Sequence, residues 1–127
     1  MFPHILLIFL SVYSKQMNMS LVHWFHIFFV GALFLYVGFQ GKKVPVFMFP
    51  FLKYVGVFVV LYHSYKIYIK LQKKQPVWVN LFHILLIGPL LLFTGANGAN
   101  TPSNYFGLLL LLGIASIGYH GYCLTTH

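Results

Sequence analysis

Residues 25–38, FHIFFVGALFLYVG, and residues 82–95, FHILLIGPLLLFTG, are two copies of one sequence phrase. The match continues without a gap from residues 25–65 onto residues 82–122, at an offset of 57 residues. An internal repeat defines the structural unit of a chain, so it is interpreted first. Here the unit is two hydrophobic segments joined by a short turn, with a histidine near each outer end.

The composition excludes a soluble globular protein, because 60% of the 127 residues are hydrophobic and only 6% are charged. Four apolar segments approach or reach the roughly 20 residues that a membrane-spanning helix needs. Because short turns make consecutive helices antiparallel neighbours, the sequence predicts an all-α, integral membrane four-helix bundle. Each repeat crosses the membrane an even number of times, so the predicted pseudo-two-fold axis lies along the membrane normal. The predicted helices are residues 21–40, 47–69, 77–95 and 105–124.

The predicted organisation has four parts. Residues 1–20 form an apolar leader or interfacial segment, although translation from Met17 or Met19 would make most of it an upstream extension. Residues 21–70 form the first transmembrane hairpin, residues 71–77 a polar linker, and residues 78–124 the second hairpin.

The charged residues are all basic, with a formal net charge of +8 and no Asp or Glu. Because the lysines flank apolar runs, we expect them to face anionic lipids and not nucleic acid. The side that holds the linker and both termini carries more lysines, which predicts cytoplasmic termini. No internal salt bridge is possible, so the counter-charge must come from lipid, a partner subunit or second copy, or the acidic groups of a cofactor.

Four histidines, one near the outer end of each predicted helix, are the candidate functional residues. Antiparallel hairpins return all four to one layer near the lysine-rich face. Histidine within a bilayer usually faces the bundle interior and is paired, bound or hydrated. Two glycines lie seven residues before a histidine, on the same helical face, where they leave room for a flat ligand or a close helix. These residues are His26, His63, His83 and His120, with Gly56 and Gly113.

The most specific hypothesis is bis-histidine ligation of a b-type haem in an electron-transfer protein, because low-spin haem needs little beyond two imidazoles and an apolar slot. The pairs are His26 with His63 and His83 with His120, or pairs between the two halves. The absence of a side chain at Gly56 and Gly113 would leave space for the haem macrocycle.

Three alternatives stay open. Three or four of the same imidazoles are a sound ligand set for Zn or Cu. A histidine layer also suits a pH-sensitive channel or proton relay. In the third alternative the histidines bind no cofactor, and hydrogen bonds across the bundle fix the helix register of a structural protein. His23 aligns with Asn80 in the repeat and is expected only to form an interfacial hydrogen bond. No nucleophile–base pair is evident, so any catalytic role is limited to that of a redox subunit.

The second copy, FHILLIGPLLLFTG at residues 82–95 followed by YFGLLLLLGIASIGYHGY at residues 105–122, resembles small two-repeat, four-helix membrane proteins encoded by large DNA viruses of algae and protists. The resemblance covers residues 21–124. It implies a virus-encoded component of a virion's internal membrane, and it transfers no catalytic residue.

Overall fold

The computed structural model describes residues 2–126, and the side chains of residues 4–8 and 19–126. The described part of the chain is helical and contains no strand. The predicted all-α class is therefore confirmed. In chain order the elements are α1 Phe2–Phe25, a π-helical segment His26–Gly31, α2 Ala32–Gln40, a 3₁₀ turn Gly41–Lys43, α3 Met48–Gln72, α4 Trp78–Phe82, a π-helical segment His83–Ile87, α5 Gly88–Asn97, a 3₁₀ turn Gly98–Asn100 and α6 Ser103–Thr126.

Within the part of the chain that the structure describes, three stretches are long and apolar enough to cross a membrane: Met19–Lys43, Trp78–Asn100 and Ser103–Thr126. This finding is consistent with the membrane protein that the composition predicts. The remaining long helix, α3, has 25 residues and is long enough to span. It is less apolar than the others because Lys53 and His63 interrupt its hydrophobic run. The predicted membrane-spanning helix of residues 47–69 is therefore not among the three stretches.

The chain forms two compact units, residues 1–39 with 107–127 and residues 40–106. In the first unit α2 packs antiparallel to α6, and small residues bring the two backbones together. A Cβ on Gly38 would stand 2.6 Å from the backbone nitrogen of Leu110, and one on Gly113 would stand 3.0 Å from that of Leu35. Glycine is therefore required for this approach, as at many membrane helix interfaces.

In the second unit α3 packs antiparallel to α5. A Cβ on Gly95 would stand 2.7 Å from the Phe49 carbonyl oxygen, and Gly56 meets Leu91 and Leu92 at 3.1 Å. The fully buried Leu52 and Leu91 belong to this interface. Each unit thus contains helices from both predicted hairpins.

The turns before α3 and α6 depend on glycines with left-handed backbones, Gly41 with φ 59° and Gly98 with φ 57°. The Cβ position of Gly41 faces the Phe106 ring at 3.6 Å, and that of Gly98 faces the Phe49 ring at 3.6 Å. A side chain at either glycine would be strained because L-residues rarely adopt this conformation. The preceding helices, α2 and α5, therefore end at Gln40 and Asn97, just before these two glycines.

Candidate functional site

The first histidine cluster consists of His23, His26 and His120 and lies within the first unit. The Nδ1 atoms of His23 and His120 lie 2.8 Å apart, which is a hydrogen bond in which one ring donates and the other accepts. The rings of His26 and His120 stack with centroids 4.3 Å apart and planes 22° apart. All three side chains are half-buried. His120 of α6 therefore has two histidine contacts, a hydrogen bond with His23 and a ring stack with His26.

The second cluster consists of Lys70, Asn80, His63 and His83 and lies within the second unit. The rings of His63 and His83 stack with centroids 4.1 Å apart and planes 15° apart. The Asn80 amide nitrogen lies 2.9 Å from His63 Nδ1, and the Lys70 ammonium donates to Asn80 Oδ1 at 2.7 Å. Asn80 is buried, with 3% of its surface exposed. The cluster therefore joins the C-terminal end of α3 to α4 and the π-helical segment that follows it.

Backbone carbonyls fix the protonation of one histidine in each cluster. His26 Nδ1 lies 2.7 Å from the Val22 carbonyl oxygen, and His83 Nδ1 lies 2.7 Å from that of Val79. A carbonyl can only accept, so Nδ1 carries the proton in both rings. In the neutral ring the lone pair then belongs to Nε2, the arrangement common in histidines that bind metals.

The Lys70 ammonium fixes the protonation of His63 indirectly. An ammonium can only donate, so the Asn80 atom that it contacts is the carbonyl oxygen, and the amide nitrogen must face His63. Because that nitrogen donates, His63 Nδ1 accepts and the neutral ring carries its proton on Nε2. Burial, and then the charge of Lys66, lowers the pKa of the Lys70 ammonium below its ordinary value. Lys70 lies just after the predicted helix of residues 47–69, near the C-terminal end of α3.

Both π-helical segments, His26–Gly31 and His83–Ile87, begin at the aligned histidines. In the second segment the Gly88 N–H donates to the His83 carbonyl, five residues back. Pro89, which lacks an N–H, follows there, but the aligned Ala32 shows that proline is not needed for the π geometry. A widened turn therefore lies just before Pro89, and such turns often mark functional sites.

The structure places His26 with His120 and His63 with His83, which are the pairs between the two predicted halves. The members of the within-hairpin pairs, such as His26 and His63, belong to different units. Gly56 packs against Leu91, so its close contact is with a neighbouring helix. Gly113 likewise packs against α2 in the first unit.

The structure places in the clusters three side chains that are not among the candidate residues predicted from the sequence, namely His23, Asn80 and Lys70. The signal for two of them was available. His23 and Asn80 occupy aligned positions, each three residues before a cluster histidine and hence near the same helical face. The role of Lys70 depends on where α3 ends relative to α4, and the sequence does not specify that.

The stacked pairs do not fit axial haem ligation as they stand. An iron between two axial imidazoles requires opposed nitrogens with the macrocycle between them, whereas parallel rings with centroids 4.1 Å and 4.3 Å apart leave no slot. Among the described residues, no three histidine, cysteine or carboxylate side chains are arranged to hold a metal ion. Either ligand would therefore require the rings to move.

The chain matches no protein-family model, no curated protein and no solved structure. The resemblance to viral two-repeat proteins accordingly stays a prediction from the sequence.

Proposed function

We propose that this chain is a non-enzymatic structural protein of a membrane, in which the two histidine clusters specify which helices pair. The observation that carries the proposal is that each cluster bonds side chains of two helices to one another. In the first cluster His23 bonds His120 across the helix pair, and in the second Asn80 bonds His63.

The chemistry of a bilayer supports this role. Apolar side chains gain little by leaving lipid for a helix interface, so small residues and interhelical hydrogen bonds direct association. Each unit has a small residue at a close helix contact and an interhelical hydrogen bond. The first unit has Gly38 and the first cluster, and the second unit has Gly95 and the second cluster. A helix that shifted along its partner would lose the hydrogen bonds of its cluster.

Double-mutant cycles test the proposal. We expect the His23→Ala/His120→Ala cycle and the Asn80→Ala/His63→Ala cycle each to give a coupling free energy of about 0.5–1.5 kcal/mol in detergent micelles. The cycles are measured with a metal chelator present. The coupling free energy then reports hydrogen bonding and ring stacking without any contribution from a bound metal ion. Coupling near zero in both cycles would refute the structural role.

In the finer form of the proposal, α3 is a fourth crossing helix and the chain is the predicted four-helix bundle of two repeats. Its lysine-rich face, including Lys66, Lys70 and Lys73, contacts anionic lipid headgroups, and both termini are cytoplasmic. Lipid phosphates then neutralise charges that the acid-free chain cannot. A virion's internal membrane is the location that the sequence resemblance suggests.

Bis-histidine haem binding is the second candidate, and the tautomers of His26 and His83 favour it. Each ring donates from Nδ1 to a carbonyl and keeps the Nε2 lone pair that iron would bind. An absorption spectrum of the purified protein, oxidised and then reduced, tests this candidate. A Soret band lost in His26→Ala would support it, and a spectrum without haem bands after expression with haem precursor would reject it.

A further inference from the structure

A cleft lies between α3 and α5 in the second unit, at the end of α3 that is remote from the second cluster. It has a volume of about 290 Å³, and the residues that line it are Pro50, Lys53, Tyr54, Gly95 and Ala96. We propose that this cleft binds the phosphate group of one anionic phospholipid, with Lys53 as the cationic contact and Tyr54 as a hydrogen-bond donor. The inference goes beyond the proposed function, because it uses no residue of either cluster or of the lysine-rich face.

The cleft lies where α5 approaches α3 at a glycine. A Cβ on Gly95 would stand 2.7 Å from the backbone nitrogen of Lys53. The first unit has the same contact at the aligned positions, where a Cβ on Gly38 would stand 2.6 Å from the backbone nitrogen of Leu110. The backbones of the two units therefore match here, and the units differ in the side chains around the contact.

Three side chains distinguish the second unit from the first at this contact. The second unit has Lys53, Tyr54 and Ala96 at the positions where the first has, in the same order, Leu110, Leu111 and Phe39. Two apolar side chains are thus replaced by an ammonium and a phenol, and a large ring is replaced by a methyl group. The second unit therefore has both polar donors and space beside them, whereas the first has neither.

The charge of Lys53 needs a partner from outside the chain. Lys53 lies in the second turn of α3, which begins at Met48, and apolar residues surround it in the sequence. The chain has no Asp or Glu side chain that could pair with it. A lysine in such a position extends its aliphatic stem along apolar surface and keeps its ammonium among the headgroups, where anionic lipids supply the negative charge.

The donors and the dimensions of the cleft suit one headgroup. Lysine binds phosphate as a point charge, and the Tyr54 hydroxyl can donate to a second phosphate oxygen. Small-molecule sites have volumes of about 300–1,000 Å³, so the cleft is at the lower end of that range. Lys53 and Tyr54 are both exposed, so the acyl chains of a bound lipid can stay outside the cleft.

The test is NMR of the chain labelled with ¹⁵N-glycine in uncharged, phosphate-free detergent micelles, titrated with short-chain phosphatidylglycerol. The Gly95 amide reports on the cleft, and the Gly38 amide reports on the matched apolar contact of the first unit. We expect a saturable shift of the Gly95 signal and no shift of the Gly38 signal. Phosphatidylcholine, whose headgroup has no net charge, should bind more weakly.

Matched variants separate a defined contact from net charge. Lys53→Leu, which copies the first unit, should weaken binding about fivefold, and Lys53→Arg should preserve it. Lys42→Leu removes the same charge from the turn outside the cleft, and at physiological salt its effect should stay below about twofold. Ala96→Phe keeps every charge but fills the cleft, so it should weaken binding as much as Lys53→Leu. Because Ala96 is exposed, helicity by circular dichroism should not change.

Three results would overturn the proposal. Unchanged affinity in Ala96→Phe would show that the lipid does not enter the cleft. Equal losses in Lys53→Leu and Lys42→Leu would show that only net charge matters. An equal Gly95 shift with inorganic phosphate, at the same affinity, would show that the ligand is a free phosphate and not a lipid. None of these readouts involves a histidine, so failure of this site and failure of the structural role give separate results.

Discussion

Asn80 donates to His63 Nδ1 at 2.9 Å, at the aligned position where His23 meets His120 at 2.8 Å. The same geometric role is therefore filled by an amide in one unit and by an imidazole in the other. The amide has a fixed direction, because Lys70 holds its oxygen. The imidazole has no such constraint and can donate or accept.

The first prediction concerns the tautomer of His63. Because Asn80 must donate, neutral His63 should carry its proton on Nε2, and nitrogen NMR of selectively labelled histidine in micelles should show this. In Asn80→Asp the new carboxylate can only accept from His63, so the ring proton should move to Nδ1. His83, held by the Val79 carbonyl, should keep its Nδ1 proton in both proteins and is the internal control.

The opposite result would contradict this prediction of the His63 tautomer. An Nδ1 proton on His63 in the wild type would mean that the Asn80 amide is reversed. Lys70 would then face an NH₂ group, and the derived order of donors in the second cluster would be wrong.

The sequence was sufficient for the class and for most helix ends. The predicted helices 47–69, 77–95 and 105–124 end within a few residues of those observed, whereas the first was expected to begin at residue 21 and the observed helix α1 begins at Phe2. The sequence did not show which helices share a unit. Hairpins with short turns suggest pairing within each repeat, whereas the matching glycine contacts join α2 to α6 and α3 to α5.

The second prediction concerns those glycine contacts. Gly38→Ala should destabilise the first unit by about 1–3 kcal/mol, because the added methyl would collide with the backbone at Leu110, which cannot rotate away. Gly118→Ala is the matched control on α6, since no described atom outside its own helical backbone lies within 4 Å of its Cβ position. It should be neutral or stabilise by up to about 1 kcal/mol through helix propensity.

Unfolding by denaturing detergent, followed by circular dichroism, measures both variants. If Gly38→Ala and Gly118→Ala had the same free energy of unfolding, the result would contradict a close contact between α2 and α6 at Gly38.

The candidate site was only partly predictable, for a physical reason. The four histidines stand out because imidazole is costly in an apolar segment and recurs in the repeat. Their partners depend on the rotation of each helix and on side-chain torsions. His63 stacks on His83, and Lys70 donates a hydrogen bond to Asn80. These are tertiary contacts, and a local sequence pattern does not predict them.

The third prediction concerns Thr94, whose side chain is fully buried in the second unit. Its hydroxyl has no hydrogen-bond partner among the residues that the structure describes. Burying an unsatisfied hydroxyl costs about 1–3 kcal/mol, so the nearly isosteric Thr94→Val should stabilise the unit by about 1 kcal/mol.

Thr101→Val is the contrasting variant, because the Thr101 hydroxyl donates to the Thr94 carbonyl at 3.3 Å. Its loss should destabilise the unit by about 0.5–1.5 kcal/mol. The two valine variants should therefore shift the unfolding midpoint in opposite directions. Destabilisation by Thr94→Val would show that its hydroxyl is satisfied, by water or by lipid, and would make the α5 interface more polar than its packing indicates.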